Sequence, residues 1–300
     1  MEVSVVIVSY RVKKFLRLCL ESVLIAGHGT ETEIIVVDNS GGDGTSEMLI
    51  RHYPEVKLIV NDSNRGFAAA CNQGIRASSG RYVLVLNPDT VIPRETIREC
   101  VDFLDKNPDC GAAGVRLVDG DGRFLPESKR GIPLPFAALC RFTQLYRLFP
   151  RSSVMNRYYM GNIGENETAV VDAVTGAFLF CRSEALVKAG LFDERYFMFG
   201  EDIDLCMQIA AEGYRVWYCP FITVTHFKGR SGAMWSYRGL HNFYHSMHLF
   251  IEKNFTGRYI FPARALMHAG IFTVSLLSFI VRTPSILIRR MIRRPSGSGS

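Results

Sequence analysis

Paired cysteines are missing from this chain. Its eight cysteines (Cys19, Cys71, Cys100, Cys110, Cys140, Cys181, Cys206, Cys219) lie apart, none in a C-x-x-C pair. That excludes a metal knuckle, and 300 residues need no disulfide staples. Several follow apolar neighbours, as in Ala-Ala-Ala-Cys71 and Phe180-Cys181, where a reduced cysteine behaves as a small hydrophobe. Charge is also sparse. Only 21% of residues are charged, beside 20 Phe and 12 Tyr, the reverse of a disordered composition. A basic n-region is lacking ahead of the first apolar run, so no signal peptide is expected and the first domain is expected in the cytosol. Gly-x-Ser-x-Gly, P-loop and His-Glu-x-x-His motifs are absent, which removes three common chemistries. No internal repeat is present.

Acidic residues are absent from the whole C-terminal stretch. From Lys253 to Ser300 there are eight basic residues and no Asp or Glu, which leaves 27 basic against 29 acidic residues in the rest. The formal charge of +6 therefore belongs to the tail, over a body of net −2. A body of that charge offers no basic groove, and nucleic acid is not an expected partner.

What the chain does have is alternation. Residues 3–9 form a continuous apolar run, as in a strand buried on both faces. Residues 13–25 place Phe15, Leu16, Leu20, Val23 and Leu24 at helical spacing. The pattern continues with a strand at 33–37, a helix at 45–52, a strand at 56–60, a small-residue helix at 66–77 and a strand at 82–86. Strands alternating with helices predict a parallel α/β sheet. Polar residues gather just after the strand ends, as Asp38-Asn39-Ser40-Gly41-Gly42 and Asn87-Pro88-Asp89, where open parallel sheets bind ligands. Residues 119–170 read as irregular connections around an acceptor site. Order resumes at 171–181, a helix is expected at 203–212, and a short strand at 215–219.

The organisation expected is a body over 1–252, membrane-associating helices over 253–295 and a flexible Ser-Gly tail at 296–300. Ala265–Val281 carries no formal charge with His268 neutral, close to the shortest length that spans a bilayer. It leads into Ile286-Leu287-Ile288-Arg289-Arg290-Met291-Ile292-Arg293-Arg294, whose arginines share one sector of a helical wheel. A helix of this kind lies in a membrane surface and is drawn to anionic lipid.

Three sequence blocks carry chemistry together. The first is Val5-Val6-Ile7-Val8-Ser9-Tyr10 with Val36-Val37-Asp38-Asn39-Ser40. The second is Asn64-Arg65-Gly66-Phe67-Ala68-Ala69-Ala70-Cys71-Asn72 with Leu86-Asn87-Pro88-Asp89-Thr90. The third is Val174-Thr175-Gly176-Ala177-Phe178, then Phe192-Asp193-Glu194, then Gly200-Glu201-Asp202-Ile203-Asp204-Leu205-Cys206. In this order they resemble glycosyltransferase family 2 over residues 3–230, and within it the bacterial rhamnosyltransferase-type enzymes of surface polysaccharide synthesis. The resemblance implies the GT-A fold, a mixed and mainly parallel α/β sheet. It also implies inverting transfer of a sugar from a nucleotide donor to a lipid-linked saccharide, at the cytosolic face of the membrane. L-rhamnose from dTDP-rhamnose is the donor expected, with other UDP-, dTDP- or GDP-sugars left open. A catalytically silent membrane scaffold is the alternative from another class.

The site residues implied are these. Departure of a nucleoside diphosphate builds charge on phosphate oxygens, which a divalent cation (Mg²⁺ or Mn²⁺) neutralises with few protein ligands. Asp89 stands at the family's Asp-x-Asp position, whose first aspartate is replaced here by Asn87, and His226 matches the late histidine of the metal site. Asp38 would accept the imide N–H of uracil or thymine, and it also suits a turn aspartate. Ser9 and Tyr10 would line the base pocket, and Arg65 and Asn72 would flank the sugar diphosphate. Asp202, in the Glu-Asp motif, would be the general base, with Glu201 second. Neighbouring carboxylates raise one another's pKa toward working pH.

Overall fold

The computed structural model describes residues 1–228 and 236–292, with side chains as far as residue 283. The basic sector at 289–294 and the Ser-Gly tail at 296–300 fall outside the described side chains. The described chain divides into two units: Met1–Phe197 with Glu201–Arg230, and Met198–Gly200 with Ser231–Ser300.

The first unit is built on the apolar runs read from the sequence. Strand β1 (Val3–Ser9) is buried along its whole length. Helix α1 (Lys13–Ala26) follows it and packs Leu16, Cys19, Leu20 and Val23 into the core. Each of the larger aliphatic side chains removed from water there contributes about 1.5–3 kcal/mol before entropy is counted. Then come β2 (Thr32–Asp38), α2 (Thr45–His52), β3 (Lys57–Val60), α3 (Phe67–Arg76), β4 (Tyr82–Leu86) and β5 (Thr90–Val91). Helix α4 (Thr96–Lys106) and strand β6 (Cys110–Val118) complete this half; neither was assigned from the sequence.

The segment expected to be irregular contains β7 (Lys129–Arg130), α5 (Pro135–Phe142) and β8 (Ala169–Val170). Strands β9 (Ala173–Val174) and β10 (Phe178–Arg182), helices α6 (Ser183–Lys188) and α7 (Glu201–Ala211), and strand β11 (Arg215–His226) follow. Two boundaries differ from the expectation. Helix α7 begins at Glu201, because Glu201, Asp202 and Asp204 occupy its first turn, where carboxylates complement the helix dipole. Strand β11 continues past Cys219 to His226. Pro220 suggests a stop, but the sheet accommodates it by a register shift between Cys219 and Thr223 against β6, the kind of irregularity at which a strand tolerates proline.

The sheet has nine strands in the order β3-β2-β1-β4-β10-β6-β11-β5, with β8 on β11, and β7 and β9 form a separate two-stranded ribbon. Strand β1 lies parallel to both β2 and β4. Strand β10 is antiparallel to β4 and β6, and β11 runs parallel to β6. The C-terminal ends of β1, β2, β4, β6 and β11 therefore meet at one edge, together with the start of β10. Chain order reverses between β1 and β4, the switch point at which such sheets open a crevice.

Small residues in α3 serve the sheet. A Cβ on Gly74 would lie 2.3 Å from Val6 Cγ1, so glycine lets the helix approach β1.

The second unit is a helical hairpin of α8 (Tyr237–Phe255) and α9 (Phe261–Ile292). The expected boundary after residue 252 falls inside α8. Tyr237 stacks on Phe279, Tyr244 hydrogen-bonds Ser278, and His248 meets His268. Residues Phe261–Thr283 form a helix long and apolar enough to cross a membrane, with Leu266, Phe272, Leu277 and Val281 exposed.

Candidate active site

Two carboxylate centres and a nest of asparagines occupy the strand edge. The first centre grows out of the turn after β4. Asn87 donates its backbone N–H to Ala177 O (3.0 Å), and its carbonyl accepts from the Thr90 N–H and hydroxyl. That fixes Asp89 opposite the end of β11, where Thr90 pairs with His226. The Phe227 N–H donates to Asp89 O at 2.8 Å. Asp89 Oδ1 and His226 Nε2 are 3.2 Å apart, both side chains nearly buried, while His226 Nδ1 is buried with no partner. Among the described residues no group of three or more His, Cys, Asp or Glu converges as a metal cage. A pair of converging ligands still fits a hard cation shared with a diphosphate, because Mg²⁺-type sites take one or two carboxylates and draw the rest from phosphate and water.

The second centre is at the start of α7. Asp202 Oδ2 accepts from Arg130 Nη2 (2.5 Å) and from the Gly176 N–H (2.9 Å). Among the described residues, Asp202 Oδ1 accepts from one donor, the N–H of its neighbour Ile203, at 2.8 Å. Arg130 comes from β7 and also donates to Val174 O at 2.8 Å. Burial opposes the guanidinium's charge, and the Asp202 carboxylate more than offsets it, so the arginine pKa is raised. Glu201 is its opposite. It is buried, its Oε2 finds no partner, and burial followed by the nearby Asp202 charge pushes its carboxyl up to about 8. Asp204 is buried against Tyr196, a structural position.

On the other flank, Asp38 is 1% exposed. It accepts from the Ser40 N–H (3.0 Å) and the Ser46 hydroxyl (2.5 Å), so the turn geometry is present. A carboxylate has about four lone-pair sites, which leaves acceptor capacity beyond these two bonds. Ser9 pairs with Asp38 in the sheet, and its buried hydroxyl has no partner. Tyr10 is half-buried, with the Arg11 guanidinium 5.4 Å from its ring centroid.

The loop before α3 is tied by Asn39. Its amide nitrogen donates to Asn64 Oδ1 and Gly66 O, and its Oδ1 accepts from Asn61 and the Arg65 N–H. The Arg65 side chain is exposed. Gly66 has φ +88, and a Cβ there would lie 2.6 Å from Phe197 O, so both the turn and the close approach require glycine.

Asn72 corrects an expectation. It is 1% exposed, its amide nitrogen donates to Phe192 O and Glu194, and its oxygen accepts from the Phe192 N–H. It fastens α3 to the 192–194 loop, with both amide hydrogens engaged by protein. Arg130, the Gly176 N–H and Asn39 were not found from sequence. The available hint for Arg130 was a basic dipeptide, Lys129-Arg130, beside a long stretch without acids.

The model for the family described as Glycosyl transferase family 2 matches residues 4–177. The chain belongs to that family. This family 2 glycosyltransferase is 27% identical over 242 residues to an N-acetylglucosaminyl-diphospho-decaprenol L-rhamnosyltransferase of Mycobacterium tuberculosis, covering 77% of this chain and 78% of the relative. It is 24% identical over 229 residues to the low-salt glycan biosynthesis hexosyltransferase Agl10 of Haloferax volcanii, covering 75% and 67%. Among solved structures, it superposes on S. aureus TarS 1–349 in complex with UDP-GlcNAc with a TM-score of 0.60 at 18% identity, covering 91% of this chain and 72% of that one. It superposes on the mannosyltransferase PcManGT of Pyrobaculum calidifontis in complex with GDP-Man and Mn²⁺ with a TM-score of 0.58 at 20% identity, covering 99% and 76%. The mixed sheet is the GT-A fold of these structures, and the rhamnosyltransferase-like character read from the motif blocks agrees with the Mycobacterium relative.

Proposed function

We propose that this chain is an inverting glycosyltransferase that moves L-rhamnose from dTDP-rhamnose to a polyprenyl-diphosphate-linked saccharide at the cytosolic membrane surface. The observation that carries the transfer reaction is Asp202. One of its oxygens is pinned by Arg130 and the Gly176 N–H, while the other accepts a single backbone bond and keeps a lone pair for an incoming hydroxyl. The donor sugar and acceptor class rest on the Mycobacterium relative's name, and the membrane on α9.

In this reading Ser9, Tyr10 and Asp38 hold the nucleobase, with Asp38 accepting the thymine imide N–H. Asn87, Asp89 and the exposed Arg65 lie toward the diphosphate. Asp89 and His226 would hold Mg²⁺ or Mn²⁺, which when bound offsets the charge developing on the leaving diphosphate. Asp202 accepts the proton of the acceptor hydroxyl as that oxygen bonds to the anomeric carbon and the bond to phosphate breaks. One displacement inverts the centre, through an oxocarbenium-like transition state comparable to that of inverting glycosidases. Arg130 orients the base, and Glu201 stays neutral beside it.

The test is transfer of labelled sugar by the full chain to an N-acetylglucosaminyl-diphospho-polyprenol. Parallel reactions would use dTDP-rhamnose, UDP-N-acetylglucosamine and GDP-mannose, each with and without Mn²⁺. The expected result is a product of inverted anomeric configuration from dTDP-rhamnose. Asp89→Ala should run about 100-fold slower and lose most of its response to the metal. Turnover of another donor in preference to dTDP-rhamnose overturns the sugar, and a retained configuration overturns the mechanism.

A further inference from the structure

Helix α5 is turned inside out. Its buried residues are Ala137 and Cys140, while Phe136, Leu139 and Phe142 are 48%, 56% and 39% exposed. A helix of a soluble domain ordinarily buries its large apolar residues and exposes the small or polar ones. The chain beyond α5 continues the pattern, with Leu148 74%, Phe149 49% and Val154 58% exposed. Exposed apolar residues scattered over a surface are ordinary; six of them between positions 136 and 154 are a concentration of the kind that marks an interaction surface.

Charge identifies the occupant. Residues 128–164 contain no Asp or Glu and six Lys or Arg, in a body that is otherwise slightly acidic. Lys129 and Arg130 are buried and Arg157 pairs with Asp172, so the exposed cations are Arg141, Arg147 and Arg151. Two of them lie against aromatic rings. Arg141 is 5.6 and 5.3 Å from the Tyr146 and Tyr159 centroids, and Arg147 is 5.9 Å from Tyr146. Large apolar side chains among arginines and tyrosines suit the boundary between anionic headgroups and acyl chains. An anionic bilayer offers a counterpart to both halves of this surface, phosphates for the arginines and acyl chains for the phenylalanines and leucines.

We propose that α5 and the segment to Val154 form a membrane-seating face of the catalytic unit itself, specific for anionic bilayers and separate from the C-terminal helices. The proposal rests on the membrane reading above. Its consequence is local. The same stretch of chain begins at β7, whose Arg130 holds Asp202, so the helix seated in the headgroup layer follows directly in sequence on the arginine that positions the candidate base. A polyprenyl-diphosphate acceptor has its diphosphate in the same layer.

The native cysteines are all buried, so a cysteine introduced at an exposed position can be labelled selectively. The full chain carrying Leu148→Cys would take an environment-sensitive fluorophore and be mixed with phosphatidylcholine vesicles with and without phosphatidylglycerol. Val187→Cys, on α6 and 70% exposed, serves as the control, with sedimentation measured in parallel. The expected result is a several-fold rise and blue shift of emission at position 148 with phosphatidylglycerol and little change at 187. Replacing Arg141, Arg147 and Arg151 by Gln should lower the partition measured at 148 about fivefold for each arginine. If the protein sediments with vesicles while 148 stays silent, the tail alone binds; the membrane reading then survives and this inference falls. If nothing sediments, both fall. A rise at 148 that follows protein concentration without vesicles would mean that the face pairs two copies, and that also overturns it.

Discussion

Asp89 and Asp202 lie at the same edge of the sheet and are partnered in opposite ways. Asp89 faces an imidazole at 3.2 Å, a neutral ligand or a cation according to its protonation. That imidazole has a second nitrogen without a partner. Asp202 faces a buried guanidinium that cannot give up its proton, and the same oxygen also accepts a backbone N–H. A carboxylate beside an imidazole can exchange its partner for a metal ion. One clamped by arginine and backbone is fixed in place and keeps its orientation through a reaction. The contrast separates a centre suited to binding a leaving group from a centre suited to receiving a proton.

The largest expected effect is at the fixed centre. Asp202→Asn keeps the shape and the Gly176 bond but removes the proton acceptor, so kcat should fall at least about 10³-fold, in the range general bases contribute. Donor affinity should stay within a few-fold of the parent, because the nucleotide side of the edge is untouched. Isothermal titration of the donor beside steady-state rates checks both halves. An equal loss of binding and rate would place Asp202 among the donor ligands and dissolve the contrast.

Much of the fold is legible in the sequence, for a physical reason. Strands β1 and β4 and helix α2 have the bounds read from the sequence, because each is a continuous apolar run or an amphipathic stretch closed by turn residues. Asp38, Asp89 and Asp202 are singled out through the family resemblance, and in the structure they stand at a strand end, in a tight turn and at a helix start. What stayed hidden depends on contacts between distant segments. Arg130 reaches Asp202 across 72 positions, and the basic dipeptide that marks it does not say which carboxylate it meets. Asn72 resembled a ligand residue until its amide proved to hold Phe192 and Glu194. Helix α5 was missed for another cause: it is eight residues long, and Pro133 and Pro135 at its start read as a connection. The far end of β11 was lost because Pro220 looks like a stop unless a neighbouring strand absorbs the shift.

Arg130→Gln tests the clamp itself, and its effect on rate should be smaller. Removing one partner of a buried ion pair costs about 3–5 kcal/mol, since the remaining charge is left without compensation. Denaturant unfolding should register that loss. In the folded fraction kcat should drop about 10- to 100-fold with donor KM near the parent value, the signature of a positioning residue. Arg130→Lys should recover part of the rate by restoring charge without the planar fork. Combining Arg130→Gln with Asp202→Asn should cost much less than the two losses added together, because their effects share one interaction. Additive losses would show that Arg130 acts elsewhere.

The smallest effect concerns Glu201, the unpaired neighbour of the clamped base. Its carboxyl is raised to about 8 from an ordinary value of 4.5, chiefly by burial. Between those two pH values the unfolded chain releases this proton while the folded chain keeps it. The folded state then binds more protons, so stability falls as pH rises through that window and levels off above about 8. Glu201→Gln keeps the size and has no proton to lose, so that slope should disappear. Melting temperatures of parent and variant should agree most closely near pH 4.5 and separate toward pH 8.5, with the variant higher by roughly 5 °C. Parallel curves across that range would mean that Glu201 is ionised in the folded protein, and the two adjacent carboxylates would then no longer be divided into one charged and one neutral.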